Sequence, residues 1–120
     1  MDALIKDVIG AGYEVANTLG CGFLEKVYER ALTRELTARG HAVRQQVTYS
    51  VLYKGACVGD YFADLVVDDG LVVEIKCADG LANPHLAQCL NYLKASGLRF
   101  GLILNFGRAR MQWKRVVNGY

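Results

Sequence analysis

The chain has 120 residues, of which 52% are hydrophobic and 22% are charged, and this is the size and balance of one globular domain over residues 1–120. Fourteen Lys and Arg against twelve Asp and Glu give a net charge of +2, too little to indicate nucleic-acid binding by charge alone. No run approaches the roughly 18 apolar residues of a membrane span, and charges interrupt the N-terminus before a signal peptide could form. We therefore expect a cytoplasmic protein without membrane contact.

The four cysteines, Cys21, Cys57, Cys77 and Cys89, are widely spaced and form no CxxC pair. This spacing excludes a zinc ribbon or zinc finger. We expect reduced, partly buried thiols.

Three helices are predicted from apolar residues that recur at helical spacing. The first covers residues 4–19, and the second covers residues 23–39, followed by Gly40 in a left-handed cap. The third covers residues 83–96, with Asn83 as its N-cap and Pro84 in its first turn.

Five strands are predicted from β-branched and aromatic residues, at residues 43–53, 61–67, 71–77, 100–106 and 111–117. The second and third are apolar on both faces, which is typical of central strands covered by helices on each side, and the fourth is predicted to be a further buried strand. The order ααβββαββ predicts an α/β (α+β) protein with a mixed sheet flanked by helices.

Charged residues interrupt two of these apolar strands. Glu74 and Lys76 lie two apart and therefore share a face of the sheet. A two-residue turn before them would direct Asp64 to the opposite face. A three-residue turn at residues 68–70, closed by a left-handed glycine, would place Asp64 directly opposite Glu74.

Two carboxylates and an ammonium are costly to bury for structure alone. Carboxylate oxygens suit Mg²⁺, which takes one or two of them and keeps several waters. The alternative is a cross-strand salt bridge at the end of the sheet. The three charges alone favour neither interpretation.

The helices contribute further polar residues. Gln88 and Tyr92 lie four apart on helix three, beside its apolar stripe, and could reach a phosphate together or form an ordinary amphipathic edge. His85 is interpreted as a solvated or capping residue. On helix two, Glu25 falls at the border of the apolar arc and needs a partner, although Glu35 falls inside the same arc.

The spacing of Asp64, Glu74 and Lys76 resembles the PD-(D/E)xK nuclease superfamily, and Gln88-x-x-x-Tyr92 resembles the QxxxY motif of its RecB-like branch. More narrowly, the chain resembles the small bacterial GxxExxY proteins over nearly its whole length. The segments that carry this likeness are Gly22-x-x-Glu25-x-x-Tyr28, Tyr53-Lys54-Gly55, Gly59-x-Tyr61-x-Ala63-Asp64, Leu90-Asn91-Tyr92-Leu93 and Asn105-Phe106-Gly107. The proline of the superfamily motif is absent, since Phe62-Ala63 precede Asp64.

The resemblance implies a restriction-endonuclease-like core that hydrolyses phosphodiester bonds of nucleic acid, with DNA as the expected substrate. It implies Mg²⁺ as the cofactor, for which Mn²⁺ can substitute. It implies that Asp64, Glu74 and the backbone carbonyl of Ile75 hold the metal, assisted by Glu25. Lys76 would orient or deprotonate the attacking water. Gln88 and Tyr92 would position the scissile phosphate. An iron–sulfur branch of the superfamily has clustered cysteines that this chain lacks.

Two other functions stay open. The first is a non-cleaving module, derived from the nuclease fold, that binds nucleic acid or a partner protein. Its basic binding surface would consist of Arg108, Arg110, Lys114 and Arg115. These residues could equally form a solvated strand edge. The second is hydrolysis of a nucleotide, against which the absence of a glycine-rich phosphate loop argues. Sequence-specific recognition would require a homodimer or a partner protein.

Overall fold

The computed structural model describes residues 1–119, and its elements follow the predicted order. The helices are α1 (Asp2–Leu19), α2 (Glu25–Ala38) and α3 (Asn83–Ser96). The strands are β1 (Val43–Tyr53), β2 (Ala56–Val67), β3 (Leu71–Lys76), β4 (Phe100–Asn105) and β5 (Gln112–Val117). Helix α2 begins later than predicted because Leu24, its N-cap, is extended. Gly40 ends it with a left-handed φ of 92°, as expected.

The start of α3 differs from the sequence prediction. Ala82 is the N-cap, and Asn83 is the first helical residue. The backbone N–H of Ala82 donates to Nδ1 of His85 over 3.0 Å, so the His85 ring supplies the capping contact. The prediction of Asn83 as the cap was therefore wrong, whereas the capping role of His85 is confirmed.

The five strands form one mixed sheet in the order β1-β2-β3-β4-β5, in which β3 and β4 are parallel and the other pairs are antiparallel. Helices α1 and α2 pack on one face of the sheet, and α3 packs on the other. Strands β3 and β4 are buried along almost their whole length. The central position predicted for the second and third strands is confirmed, since β2 and β3 lie inside the sheet, and so is the burial predicted for the fourth.

The turn between β2 and β3 has the predicted length but not the predicted backbone. Val67 pairs with Leu71, as a three-residue loop requires. The left-handed residues are Asp68 and Asp69, with φ of 51° and 55°, and Gly70 is not among them. The reason is a contact outside the turn: the Asp68 carboxylate accepts a 2.8 Å hydrogen bond from the Ala42 backbone. Aspartate tolerates this conformation better than most residues.

The side-chain alternation of β2 breaks at Asp64. Ala63 packs in the cluster under α3, whereas Leu65 packs in the cluster under α1 and α2. Residues two apart in a regular strand share a face, so the strand changes its facing here. Across from this point, Gln46 of β1 has a left-handed φ of 51°. Both neighbouring strands are therefore irregular at the same level of the sheet.

The cysteines are free thiols with different exposures. Cys89 is buried and Cys77 is partly buried, while Cys21 and Cys57 are exposed. The expectation of partial burial was therefore wrong for the latter two. Within residues 1–119, no helix combines the length and apolar character that crossing a bilayer requires.

His41 links the α1 helix to the β2–β3 turn. Its Nε2 lies 2.5 Å from Oδ2 of Asp7, and its Nδ1 lies 2.7 Å from Oδ2 of Asp68. The hydrogen bond with Asp7, followed by that with Asp68, raises the pKa of His41. The same contacts lower the pKa of both aspartates. The protonated imidazole is therefore the form that donates to both carboxylates.

We expect His41→Gln to lower the free energy of unfolding by about 1 kcal/mol at about pH 5.5, and by less at about pH 9. Because the folded-state pKa of His41 is raised, its stabilisation is complete below the unfolded value and is lost as the pH rises through the folded value. Urea unfolding at both pH values measures the effect. His85→Gln is the control, and a loss from His41→Gln that is equal at both pH values would contradict the prediction.

Candidate active site

Strands β2 and β3 separate at Asp64 and Glu74. Regular pairing ends with Leu65 and Val73. Beyond it, the backbone N–H of Asp64 donates to Oε2 of Glu74 over 2.9 Å, and that of Ile75 donates to Oδ2 of Asp64 over 2.8 Å. The side chains thus replace the backbone ladder. The prediction that the three-residue loop brings Asp64 opposite Glu74 is confirmed.

Burial makes this carboxylate pair difficult to ionise. Glu74 is 4% exposed. Burial and then the charge of Asp64 raise the pKa of Glu74 to about 8. Burial also raises the pKa of Asp64, against the lowering effect of the Ile75 N–H. A buried carboxylate beside a half-buried one favours a shared proton or a bound cation.

Lys76 lies on the α3 side of the sheet. Its Nζ donates to Oε1 of Gln88 over 3.1 Å. Burial, followed by the charges of Glu74 and Asp64, raises the pKa of the Tyr92 hydroxyl. The predicted polar residues of α3 therefore face the carboxylate pair.

The salt-bridge alternative for these charges does not hold. Among the ion pairs of residues 1–119, none joins Lys76 to Asp64 or Glu74. The Lys76 ammonium instead donates a hydrogen bond to the amide oxygen of Gln88. The lysine therefore lies near the carboxylates without neutralising them by direct contact.

Tyr92 also belongs to an aromatic stack. Its ring lies parallel to that of Tyr61 with the centroids 3.9 Å apart, and Tyr61 stacks on Tyr49 at 5.4 Å. The Tyr61 hydroxyl donates to the backbone carbonyl of Tyr92 over 2.6 Å. The stack fixes α3, and with it Gln88, against β1 and β2.

Glu25 reaches the site from α2, but not as a buried acid. It is exposed at the first helical residue, and its Oε2 accepts a 3.1 Å hydrogen bond from the backbone N–H of Cys77, immediately after Lys76. Glu35, the other acid considered on this helix, pairs with Arg39 at the far end of α2. The backbone N–H of Cys77 is thus the partner that the position of Glu25 on the helical wheel requires.

The buried acid of α2 is Glu29, which the sequence analysis missed. Glu29 is 4% exposed, and its carboxylate accepts from Lys26 Nζ (3.2 Å), Gln45 Nε2 (3.0 Å) and Gln46 Nε2 (2.7 Å). Its position four residues after Glu25, on the same helix face, is the signal that could have found it.

An open cleft of about 750 Å³ lies between α2 and the separated strands. Its lining includes three carboxylates, Glu25, Glu29 and Asp64, together with Gly22, Phe23, Leu24, Lys26, Gln46, Cys77 and Gly107. Lys76, Gln88 and Tyr92 approach Asp64 and Glu74 from the α3 side. The six predicted site residues are thus gathered at one end of β3.

The loop that precedes Glu25 is held by Tyr28. The Tyr28 hydroxyl donates to the Gly20 carbonyl over 2.6 Å and accepts from the Phe23 N–H over 3.2 Å. Gly22, with a φ of 112°, provides the turn. In the Gly-x-x-Glu-x-x-Tyr spacing, glycine and tyrosine therefore set the position of the glutamate.

A second clamp holds the chain beyond Lys76. Oδ1 of the buried Asn105 accepts from the N–H groups of Ala78 and Gly107, each over 3.0 Å. A Cβ at position 107 would lie 2.3 Å from the Ala78 carbonyl oxygen, so only glycine fits there. The segment Asn105-Phe106-Gly107 therefore fixes the end of β3 from its parallel neighbour.

The basic residues near the C-terminus do not share one face. Lys114 and Arg115 are neighbours on the edge strand β5 and point to opposite sides. Arg115 pairs with Asp2 at 2.9 Å, and Arg108 donates to the Asp79 carbonyl. Arg110 is exposed in the preceding loop. These positions fit a solvated strand edge better than a shared basic binding surface.

The donor set at the end of β3 fits a small divalent cation. Residues 1–119 contain no group of three or more His, Cys, Asp or Glu side chains arranged as a metal centre. Mg²⁺ requires less, since it binds through one or two carboxylates and keeps several waters. Asp64 and Glu74, with the Ile75 carbonyl between Glu74 and Lys76, supply that number.

A family model of the PD-(D/E)XK nuclease superfamily matches residues 2–116, and the chain belongs to this superfamily of nucleases. Two crystal structures share the fold. One is SSO0001, with a TM-score of 0.60 and 19% identity over 80% of this chain and 51% of that one. The other is an alkaline exonuclease (LHK-Exo) from Laribacter hongkongensis, with a TM-score of 0.57 and 15% identity over 78% of this chain and 56% of that one.

The chain spans about half the length of these two structures. No curated protein sequence matches it. The predicted fold class is confirmed: the sheet with its flanking helices is restriction-endonuclease-like.

We expect Glu74→Gln to stabilise the metal-free protein, because the amide oxygen still accepts from Asp64 N–H while the buried charge is removed. Since the pKa of Glu74 is raised to about 8 in the fold, the unfolded chain releases this proton at a lower pH than the folded protein does, and Glu74 therefore destabilises the fold increasingly as the pH rises between the two values. The gain should be small at about pH 5 and about 1–3 kcal/mol at about pH 8.5. Urea unfolding in the presence of a chelator measures it, and a gain that falls with pH would disprove the assignment.

Proposed function

We propose that this chain is a Mg²⁺-dependent nuclease that hydrolyses phosphodiester bonds of DNA at the end of β3. The observation that carries the proposal is the pair of the half-buried Asp64 and the buried Glu74, opposed across separated strands and without an ion pair to Lys76. Membership of a nuclease superfamily supports the reaction class. We place the chain with the GxxExxY proteins and assign Gln88 and Tyr92 to a QxxxY motif.

Asp64, Glu74 and the Ile75 carbonyl would hold the metal. When bound, Mg²⁺ would polarise the phosphate and make a bound water more acidic. Both carboxylates would then be ionised, because the charge of a bound cation offsets the burial and the repulsion that raise their pKa values. Glu25 would assist from the α2 side of the cleft.

The remaining residues would act on the phosphate and the water. Lys76 would direct its ammonium at the water and at the charge that develops on phosphorus, held in place by Gln88. Gln88 and Tyr92 would position the phosphate from α3. The half-buried Tyr92, stacked on Tyr61, would provide a rigid wall for that contact.

Cleavage of labelled single-stranded, duplex and branched DNA and of RNA, with Mg²⁺ or Mn²⁺, tests the proposal. Asp64→Asn and Lys76→Ala should each lower the cleavage rate at least about a hundredfold without loss of folding. Matched controls are Asp60→Asn on the exposed half of β2 and Lys6→Ala on α1, which should retain the wild-type rate.

The substrates cut by the wild type define the nucleic acid and the mode of cleavage. Cleavage of RNA alone would correct the DNA assignment. If folded wild-type protein cuts none of these substrates and does not bind Mn²⁺, the nuclease proposal fails and a non-cleaving binding module takes its place.

A further inference from the structure

Gln46, which lines the cleft beside Asp64, has a strained backbone. Its φ of 51° lies in the left-handed region, in the middle of strand β1. A non-glycine residue there costs on the order of 1 kcal/mol or more, and such residues concentrate at functional sites. The strain has a geometric result: the adjacent side chains of Gln45 and Gln46 both reach Glu29, which a regular strand would forbid.

The Gln46 side chain bridges two carboxylates. Its Nε2 donates to Oε1 of Glu29 over 2.7 Å and lies 3.3 Å from Oδ1 of Asp64. An amide NH₂ group carries two hydrogens and can serve both acceptors at once. Asp64 is thereby held at both oxygens, by Gln46 at Oδ1 and by the Ile75 N–H at Oδ2.

Glu29 anchors the bridge. It is 4% exposed and is fixed to α2, and Lys26 and Gln45 hold its other oxygen. The Gln46 amide is therefore held by a rigid acceptor and can transmit that rigidity to Asp64.

We infer that Gln46 is a positioning residue, whose amide couples the buried Glu29 to Asp64 and keeps the Asp64 carboxylate in the orientation that binds a divalent cation. The inference rests on the proposed function of Asp64. Partners of this kind, which orient a metal-binding side chain, typically change metal affinity or activity about 10- to 100-fold when they are removed.

Gln46→Gly separates positioning from folding, because glycine relieves the strained φ while the bridge is lost. We expect a urea midpoint close to that of the wild type, because relief of the strained φ offsets the hydrogen bond lost by Glu29. The Mn²⁺ dissociation constant, measured by electron paramagnetic resonance, should rise about tenfold, and kcat should fall about tenfold at unchanged KM. Lys54→Gly is the matched control: Lys54 has a similar φ of 49° in the turn between β1 and β2, outside the cleft. It should leave Mn²⁺ affinity and kcat unchanged.

A Gln46→Gly protein that is as stable as the wild type and binds Mn²⁺ equally well would overturn the inference. So would a loss of Mn²⁺ affinity that merely follows a loss of stability. Nuclear magnetic resonance tests the bridge without metal or substrate: the side-chain NH₂ of Gln46 should exchange slowly with water in the wild type and faster in Asp64→Ala. Fast exchange in the wild type overturns the inference even if the nuclease is active. Slow exchange in a protein that cuts nothing supports the bridge and rejects the nuclease.

Discussion

The site depends on two hydrogen bonds between β2 and β3, in which the Asp64 N–H donates to Glu74 and the Ile75 N–H donates to Asp64. Each carboxylate accepts a backbone N–H from the opposite strand. These two contacts keep β2 and β3 together at the point where their ladder ends, and they satisfy backbone donors that would otherwise be buried without partners. The same contacts fix one oxygen of each carboxylate. Structure and chemistry are therefore carried by the same four groups.

Three structural supports position the residues around this carboxylate pair. Tyr28 fixes the loop that brings Glu25 to Cys77, and Asn105 fixes the backbone that follows Lys76. From the other face, the stack of Tyr92 on Tyr61 holds α3, and with it the glutamine that binds Lys76. Each support consists of short hydrogen bonds or stacked rings between regular elements. Such rigidity is what pre-organised sites require.

The sequence predicted the element order, the central strands and the opposition of Asp64 and Glu74, because these follow from periodicity and turn length. It did not predict the left-handed Asp68, since that conformation depends on a hydrogen bond to Ala42. It also missed Glu29. Strict alternation along β1 and β2 hides the fact that Gln45 and Gln46 turn to the same side. Local patterns fail where two neighbouring strands become irregular together.

The cost of the charges at the end of β3 distinguishes a structural role from a chemical one. A structural salt bridge would place Lys76 in contact with a carboxylate, and the two charges would offset each other's desolvation. In residues 1–119 that ion pair is absent, and burial raises the pKa of Glu74 to about 8. Placing an ionisable acid at this position is therefore unfavourable for folding, and a neutral residue in place of Glu74 would remove that cost. The presence of both acids is physically reasonable when a cation binds between them, since two carboxylates that repel each other both attract the cation.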